Sequence, residues 1–295
     1  VEKKELSKHE PVLLKEVLDW LKIEEGKIFV DGTLGLGGHS KAILERAGED
    51  AFLYAFEWNE DTLKFAEESL RPFQGRVKII PKSFVHIREV LEGEGVLADG
   101  VLLDLGLSSF LIEGSGRGFT FQKDEPLDMR MSLNLRFTAK DLLNSLSERE
   151  LGEILKRGEV PKASAFARFI VQKRKMTAFE STFDLVSAIR EFYRPLKRRE
   201  KDLLAVIFQA LRIEVNQELE NLQRALRELP EVLRPGGRLA IIAFHSLEDR
   251  IVKRAFKGDV RLINLTKKPI TPSPEEVKRN PRARSAKLRV AERRP

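Results

Sequence analysis

Three carboxylates in this chain of 295 residues stand at the end of an apolar run. Asp31 follows "IFV", Glu57 closes "AFLYAFE", and Asp104 follows "VLL" in "DGVLLDLG". A carboxylate directly after "VLL" is costly to bury without partners, so Asp104 is expected to work on a ligand. Between the first two lies "DGTLGLGGHS", residues 31–40, with four glycines in ten positions. Glycine so dense marks a backbone that approaches a neighbour closely, or turns that other residues adopt only with strain. Glu57 comes twenty residues after Gly37. An acid there accepts hydrogen bonds from the hydroxyls of an adenosine ribose, or else caps the helix that starts near Asn59 and Asp61.

Two phosphate-binding patterns can be tested on the glycine stretch. A P-loop needs Gly-Lys-Ser/Thr, but Gly37 is followed by Gly38 and His39. The dinucleotide pattern G-x-G-x-x-G meets Gly35 and Gly37 and then Ser40 in place of the last glycine, so it fits imperfectly. A third pattern, D-x-x-x-G-x-G before a helix, is met by Asp31, Gly35 and Gly37 and suits the amino-acid end of S-adenosylmethionine. Asp31 would repel a pyrophosphate and tolerate an ammonium and a sulfonium. Phe84, after the third apolar run, is placed to cover an adenine or to fill the core. His245 ends a later apolar run and reads as a group near the reacting base or as a cap of the next helix.

Four histidines scattered without ligand spacing and no cysteine argue against a dedicated metal site. No apolar run approaches the ~20 residues of a membrane helix. "VEKKELSKHEP" lacks the apolar stretch of a secretory signal, so a cytoplasmic protein is expected. The net charge of +7 favours a polyanionic partner, nucleic acid first, although it also serves solubility. Basic residues concentrate in "KRNPRARSAKLRVAERR" (278–294), eight in seventeen positions, and in "LKRREK" (196–201). Arg282, Arg284, Lys287 and Arg289 are the RNA-contact candidates of the first stretch. In "GRGFTF" (116–121), Arg117 and Phe119 suit a splayed base, and the flanking glycines suit a plain turn.

Apolar strands over 28–30, 51–57, 76–81 and 99–106 alternate with helical segments over 10–21, 39–48, 59–73 and 84–91. That alternation predicts a parallel sheet covered on both faces. Residues 109–208 read as charged helical segments without a buried strand. A long helix over 215–237 then leads to a strand over 238–246 and a helix over 247–256. The fold class is therefore α/β, a doubly wound Rossmann-like sheet with an inserted all-helical domain. Its core is split between 1–108 and 209–295, with 109–208 as the insertion and the expected RNA-recognition domain. Ala286, Leu288 and Val290 alternate, predicting a final edge strand whose other face shows Lys287 and Arg289.

Taken together these stretches resemble the bacterial 16S rRNA (cytosine N4)-methyltransferase family, known as MraW. The resemblance runs through "HEPVLLKEV", "DGTLGLGGHS", "LLDLGLSS", "RGFTFQKDEPLDMRMS", "FQALRIEVNQELENL", "GGRLAIIAFHSLEDRIVK" and "NPRARSAKLRVAERR". It implies S-adenosylmethionine as donor, S-adenosylhomocysteine as product, no metal, and N4 of a cytidine in the decoding region of small-subunit rRNA as acceptor. Gly37, Gly38 and His39 match the loop that contacts the donor, Glu57 the ribose ligand that is usually Asp, and Phe84 and Asp104 further donor contacts. Where the family commonly has Gln, seven residues after Asp104, this chain has Leu111. Asp104 is the implied acceptor for an N4 proton, although Leu105-Gly106 stands where many amino-methyltransferases carry Pro-Pro. The rivals are a nicotinamide-dependent oxidoreductase and an RNA-binding assembly protein without catalysis. Monomer and homodimer both remain open.

Overall fold

A computed structural model describes residues 10–195 and 199–295. The N-terminal stretch up to His9 and residues 196–198 of the basic run "LKRREK" lie outside the described residues. Two compact units emerge: Ser109–Glu218, and the rest of the described chain up to Ser108 and from Leu219 onward.

The sheet unit begins with α1 (Leu14–Trp20), β1 (Ile28–Asp31), α2 (Gly38–Arg46), β2 (Phe52–Phe56), α3 (Glu60–Leu70), β3 (Val77–Ile80), α4 (Ile87–Glu94) and β4 (Ala98–Asp104). The chain then enters the helical unit through α5 (Ala139–Ser145), α6 (Glu148–Arg157), α7 (Ala163–Lys173), α8 (Thr182–Phe192) and α9 (Glu200–Asn216). It returns through α10 (Glu218–Val232), β5 (Leu233–Ala243), α11 (Ser246–Gly258), β6 (Leu262–Asn264), α12 (Pro274–Arg279) and β7 (Lys287–Arg293).

The strand order is β3-β2-β1-β4-β5-β7-β6. β1 to β5 run parallel, and β7 runs antiparallel to both neighbours. Side chains alternate as a pleated strand requires. Phe29, Leu53, Leu102 and Ala240 join one apolar cluster, while Val30, Tyr54, Val101, Leu103 and Ile241 join the other. Both faces are buried, which is why the strands read as unbroken apolar runs. The carboxyl ends of β1, β2 and β4 deliver Asp31, Glu57 and Asp104 to one edge, where an open α/β sheet binds its ligand.

The helical unit packs a second core that includes Leu155, Phe166, Ile170, Ile189 and Ile207. Thr138 with Asp141, Ser147 with Glu150, and Ser181 with Asp184 form capping boxes that start α5, α6 and α8.

Three expectations change. The helical unit extends to Glu218 rather than 208, because α9 is one uninterrupted helix whose apolar face belongs to the helical core. The long helix over 215–237 is two helices, since Gln217 takes a left-handed conformation (φ 51°) that ends α9. Its expected stop at Pro235-Gly236-Gly237 instead forms an irregularity inside β5, where the register jumps between Leu233 and Arg238. The final strand is not an edge: β7 lies between β5 and β6, and β6 is the edge.

Candidate functional site

Asp31 ends β1 buried, and its two oxygens are committed locally. Oδ2 accepts from the Ser40 hydroxyl at 2.7 Å and Oδ1 from the Thr33 amide at 3.0 Å. The first and last residues of the glycine stretch are thus tied together. Ser40, the residue that spoils the dinucleotide pattern, is the donor that a buried carboxylate needs. Gly35 and Gly37 take φ values of +53° and +88°, in the left-handed region open to glycine without strain. Gly38 answers to a different need, since a Cβ there would lie 2.6 Å from Pro11 Cγ. The glycines therefore do both things expected of them: Gly35 and Gly37 shape the turn, and Gly38 admits the close approach of Pro11.

Glu57 lies across the same loop. Its Oε2 accepts from Gly35 N at 2.9 Å and its Oε1 from Asn59 N at 2.8 Å. Asn59, not Glu57, caps α3 through its side chain, accepting from Thr62 N at 2.7 Å. Glu57 is left to the loop and to whatever enters it. Phe84 begins a short 3₁₀ turn and is half-buried; its Cβ would stand 3.0 Å from a Cβ added at Gly32, which puts this residue at the root of the loop.

Asp104 completes the set. Its amide donates to Thr33 Oγ1 at 2.7 Å, its Oδ1 accepts from Gly106 N at 3.3 Å, and its Oδ2 lies 3.5 Å from His39 Nδ1. Burial pushes Asp31 and Asp104 above the usual carboxylate range, against the opposing pull of the Ser40 hydroxyl on the first and of His39 on the second. Burial likewise pushes Glu57 up to about 7, opposed by the amides of Asn59 and Gly35. Among the described residues none of these three acids is paired with a Lys or Arg. Recessed acids without a counter-cation suit a guest bearing positive charge and hydroxyl groups, and oppose a pyrophosphate.

The other predicted residues separate by burial. His245 is the N-cap of α11, its Nδ1 accepting from Glu248 N at 3.3 Å and its Nε2 lying 3.0 Å from Glu248 Oε1. Glu248 also accepts from Phe244 N at 2.8 Å; the helix cap accounts for the Nδ1 contact of His245, while its buried Nε2 makes no hydrogen bond among the described residues. Arg117 is buried, its Nη1 donating to the carbonyls of Arg130 and Met131 at 3.2 and 3.4 Å, and Phe119 packs against the helical core. The turn reading of "GRGFTF" therefore replaces the stacking one. Arg289 is 4% exposed and donates from Nε and Nη2 to the two oxygens of Asp249 at 2.7 and 3.1 Å. It is a buried ion pair, not a phosphate contact, because β7 is an interior strand. Lys287 stays partly exposed beside the same Asp249, at 3.9 Å. Arg284 is exposed and Arg282 half-buried on a turn anchored by the fully buried Ala283. Leu111 is buried. Sequence reasoning missed Thr33 and Ser40, which hold Asp104 and Asp31; a hydroxyl residue two and nine positions after a buried acid was the available signal.

The sheet differs from the all-parallel 3-2-1-4-5-6 order of dinucleotide-binding proteins by a reversed strand between the fifth and sixth. It is a Rossmann-like sheet with three acids at the ends of its first, second and fourth strands. A model of the MraW methylase family matches residues 6–294, and the chain belongs to that family. A ribosomal RNA small subunit methyltransferase H of Kosmotoga olearia is 45% identical over 292 residues, covering 97% of each chain. The protein of that name from Thermotoga neapolitana is 45% identical over 292 residues, covering 96% of this chain and 95% of its own. That from Dictyoglomus thermophilum is 45% identical over 290 residues, covering 97% of each.

Proposed function

We propose that this protein transfers a methyl group from S-adenosylmethionine to N4 of a cytidine in the decoding region of 16S rRNA. The observation that carries the reading is the set of recessed acids without counter-cations, Asp31, Glu57 and Asp104, around a glycine loop at one sheet edge. The names of relatives 45% identical over nearly the whole chain support ribosomal RNA of the small subunit as the acceptor.

The donor supplies an activated methyl on a sulfonium, a good leaving group. Glu57 accepts from the ribose hydroxyls, the loop from Asp31 to Ser40 encloses the amino-acid end, and Phe84 covers one side of the adenine. Alignment of nucleophile, carbon and sulfur is then the main task, and positioning of this kind accounts for a large share of a transfer barrier. The N4 lone pair of cytosine is delocalised into the ring. An acceptor for one N4 proton raises its nucleophilic character as attack proceeds, and Asp104 is the group in place for it. The target base leaves its stack to reach the site. The exposed Arg284, the partly exposed Lys287 and the helical unit meet the phosphates.

The test is incubation of undermethylated 30S subunits with labelled S-adenosylmethionine, followed by nucleoside analysis. Label is expected in N4-methylcytidine and is lost in Asp104→Ala. Label in an adenine or in protein overturns the reading.

A further inference from the structure

The contacts of His39 decide where its ring carries a proton. Its Nε2 lies 2.9 Å from the carbonyl oxygen of Val12. A carbonyl only accepts, so Nε2 donates. The ring is buried and belongs to the second residue of α2. Nδ1 is left with a lone pair, and it faces Asp104 Oδ2 at 3.5 Å. Two lone pairs facing one another repel, whereas one proton between them turns the contact attractive.

The surrounding charges all push the same way. Asp31 on β1 and Glu248 of α11 both act on Asp104 and favour its protonated form, and Asp31 does the same to Glu57. Glu276 of α12 accepts from Leu13 N, next to the Val12 carbonyl that holds the ring. Among the described residues no Lys or Arg is paired with Asp31, Glu57, Asp104 or Glu248, whose contacts are backbone amides, Ser40 and the two histidines.

We propose that His39 and Asp104 hold one proton between them in the empty enzyme, release it when a cationic methyl donor binds, and then receive the proton shed by the substrate amine. The inference rests on the methyl-transfer reading above. His39 is a positioning residue that acts through Asp104. In the transfer step the amine lone pair forms the N–CH₃ bond as the S–CH₃ bond breaks, and that electron pair stays on sulfur. The nitrogen gives one proton to the Asp104 carboxylate, which then donates to Nδ1 of His39. For this Asp104 must be ionised and His39 neutral, so the resting proton has to leave first. A positive donor beside four acids takes over the proton's electrostatic part, and the neutral thioether product lets a proton remain on the pair.

Imidazole ¹⁵N NMR of the ligand-free full chain across pH 5 to 9 tests the resting state, with His39→Gln identifying the signal. The expected spectrum shows protonated Nε2 and a hydrogen-bonded Nδ1 whose titration disappears in Asp104→Asn. A ring protonated on Nδ1 alone, or a titration indifferent to Asp104→Asn, overturns the proposal whether or not the chain methylates RNA. Calorimetry in buffers of different protonation enthalpy tests the linkage. Sinefungin, which carries an amine where the donor carries its sulfonium, is expected to release about one proton more than S-adenosylhomocysteine, and His39→Gln to abolish the difference. Equal proton release overturns the linkage. In turnover, His39→Gln is expected to lower kcat about 10²-fold with the KM for RNA unchanged. An unchanged kcat overturns the acceptor role. Absence of RNA methylation alongside the NMR signature sinks the methyl-transfer reading and the proton's destination together.

Discussion

Glu57 accepts from two backbone amides and carries a pKa pushed up to about 7 by burial. Its folded value lies above the ordinary 4.5, so the folded state binds the proton more tightly than the unfolded one. The stability this contributes is fully present below pH ~4.5 and is lost as pH rises through about 7. Asp31 and Asp104 shift in the same direction and act with the same sign. The melting temperature of the ligand-free protein is therefore expected to fall from this source between pH 4.5 and 7, and Glu57→Gln to flatten the fall. Binding has the opposite dependence, because ribose hydroxyls need an ionised acceptor. Affinity for S-adenosylhomocysteine should rise through pH 7, and Glu57→Gln should weaken it roughly 10- to 100-fold, the worth of ~1.5–3 kcal/mol for bonds to a charged group. A pH-independent affinity in the wild type would remove Glu57 from the ribose site. Arg289 and Arg284 give a second contrast. Arg289→Ala strands the buried Asp249 and is expected to cost about 3–5 kcal/mol of stability in chemical denaturation. Arg284→Ala, on an exposed side chain, should leave stability within about 0.5 kcal/mol.

Elements hold these residues through a few buried polar ties. The loop between β1 and α2 is closed by Ser40 on Asp31, and Ser40→Ala leaves that carboxylate short of a donor. The expected cost is ~1–3 kcal/mol, read as a drop of several degrees in melting temperature. In the helical unit, the fully buried Asn216 near the end of α9 performs the comparable task. Its Oδ1 accepts from Met131 N at 2.7 Å, and its Nδ2 donates to the Met129 and Arg212 carbonyls at 2.8 Å. Asn216→Leu removes three hydrogen bonds from the side chain to the backbone, and the segment over 129–137 should then become the first site cut in limited proteolysis. An unchanged cleavage pattern would show that this segment holds by other means.

Across the whole molecule, the excess of positive charge is spread over exposed cations on both units. RNA affinity is expected to fall steeply with salt, and Arg284→Ala to reduce the slope of log K against log salt by about 0.7–0.9 per lost phosphate contact. A slope unchanged by Arg284→Ala, with affinity also unchanged, would place the RNA elsewhere on the surface.

Some of this was written locally in the chain. Apolar runs followed by Asp31, Glu57 and Asp104 identify strand ends by themselves, because a two-faced parallel strand has no polar positions until it leaves the sheet. Hence the α/β class, the helical insertion and the family resemblance are legible in the sequence itself. Other features depend on neighbours distant in sequence. Arg289 reads as a surface cation until β7 inserts between β5 and β6 and brings it to Asp249, forty positions earlier. Arg117 reads as a base contact until its guanidinium meets the Arg130 and Met131 carbonyls. Gly38 marks a close approach whose partner is unnamed in the sequence, and that partner is Pro11. Period, composition and turn chemistry are local and survive in a string of letters. Strand order, the partner of a charge and the direction of a lone pair are set by which distant segments the packed core brings together, and only the tertiary structure decides them.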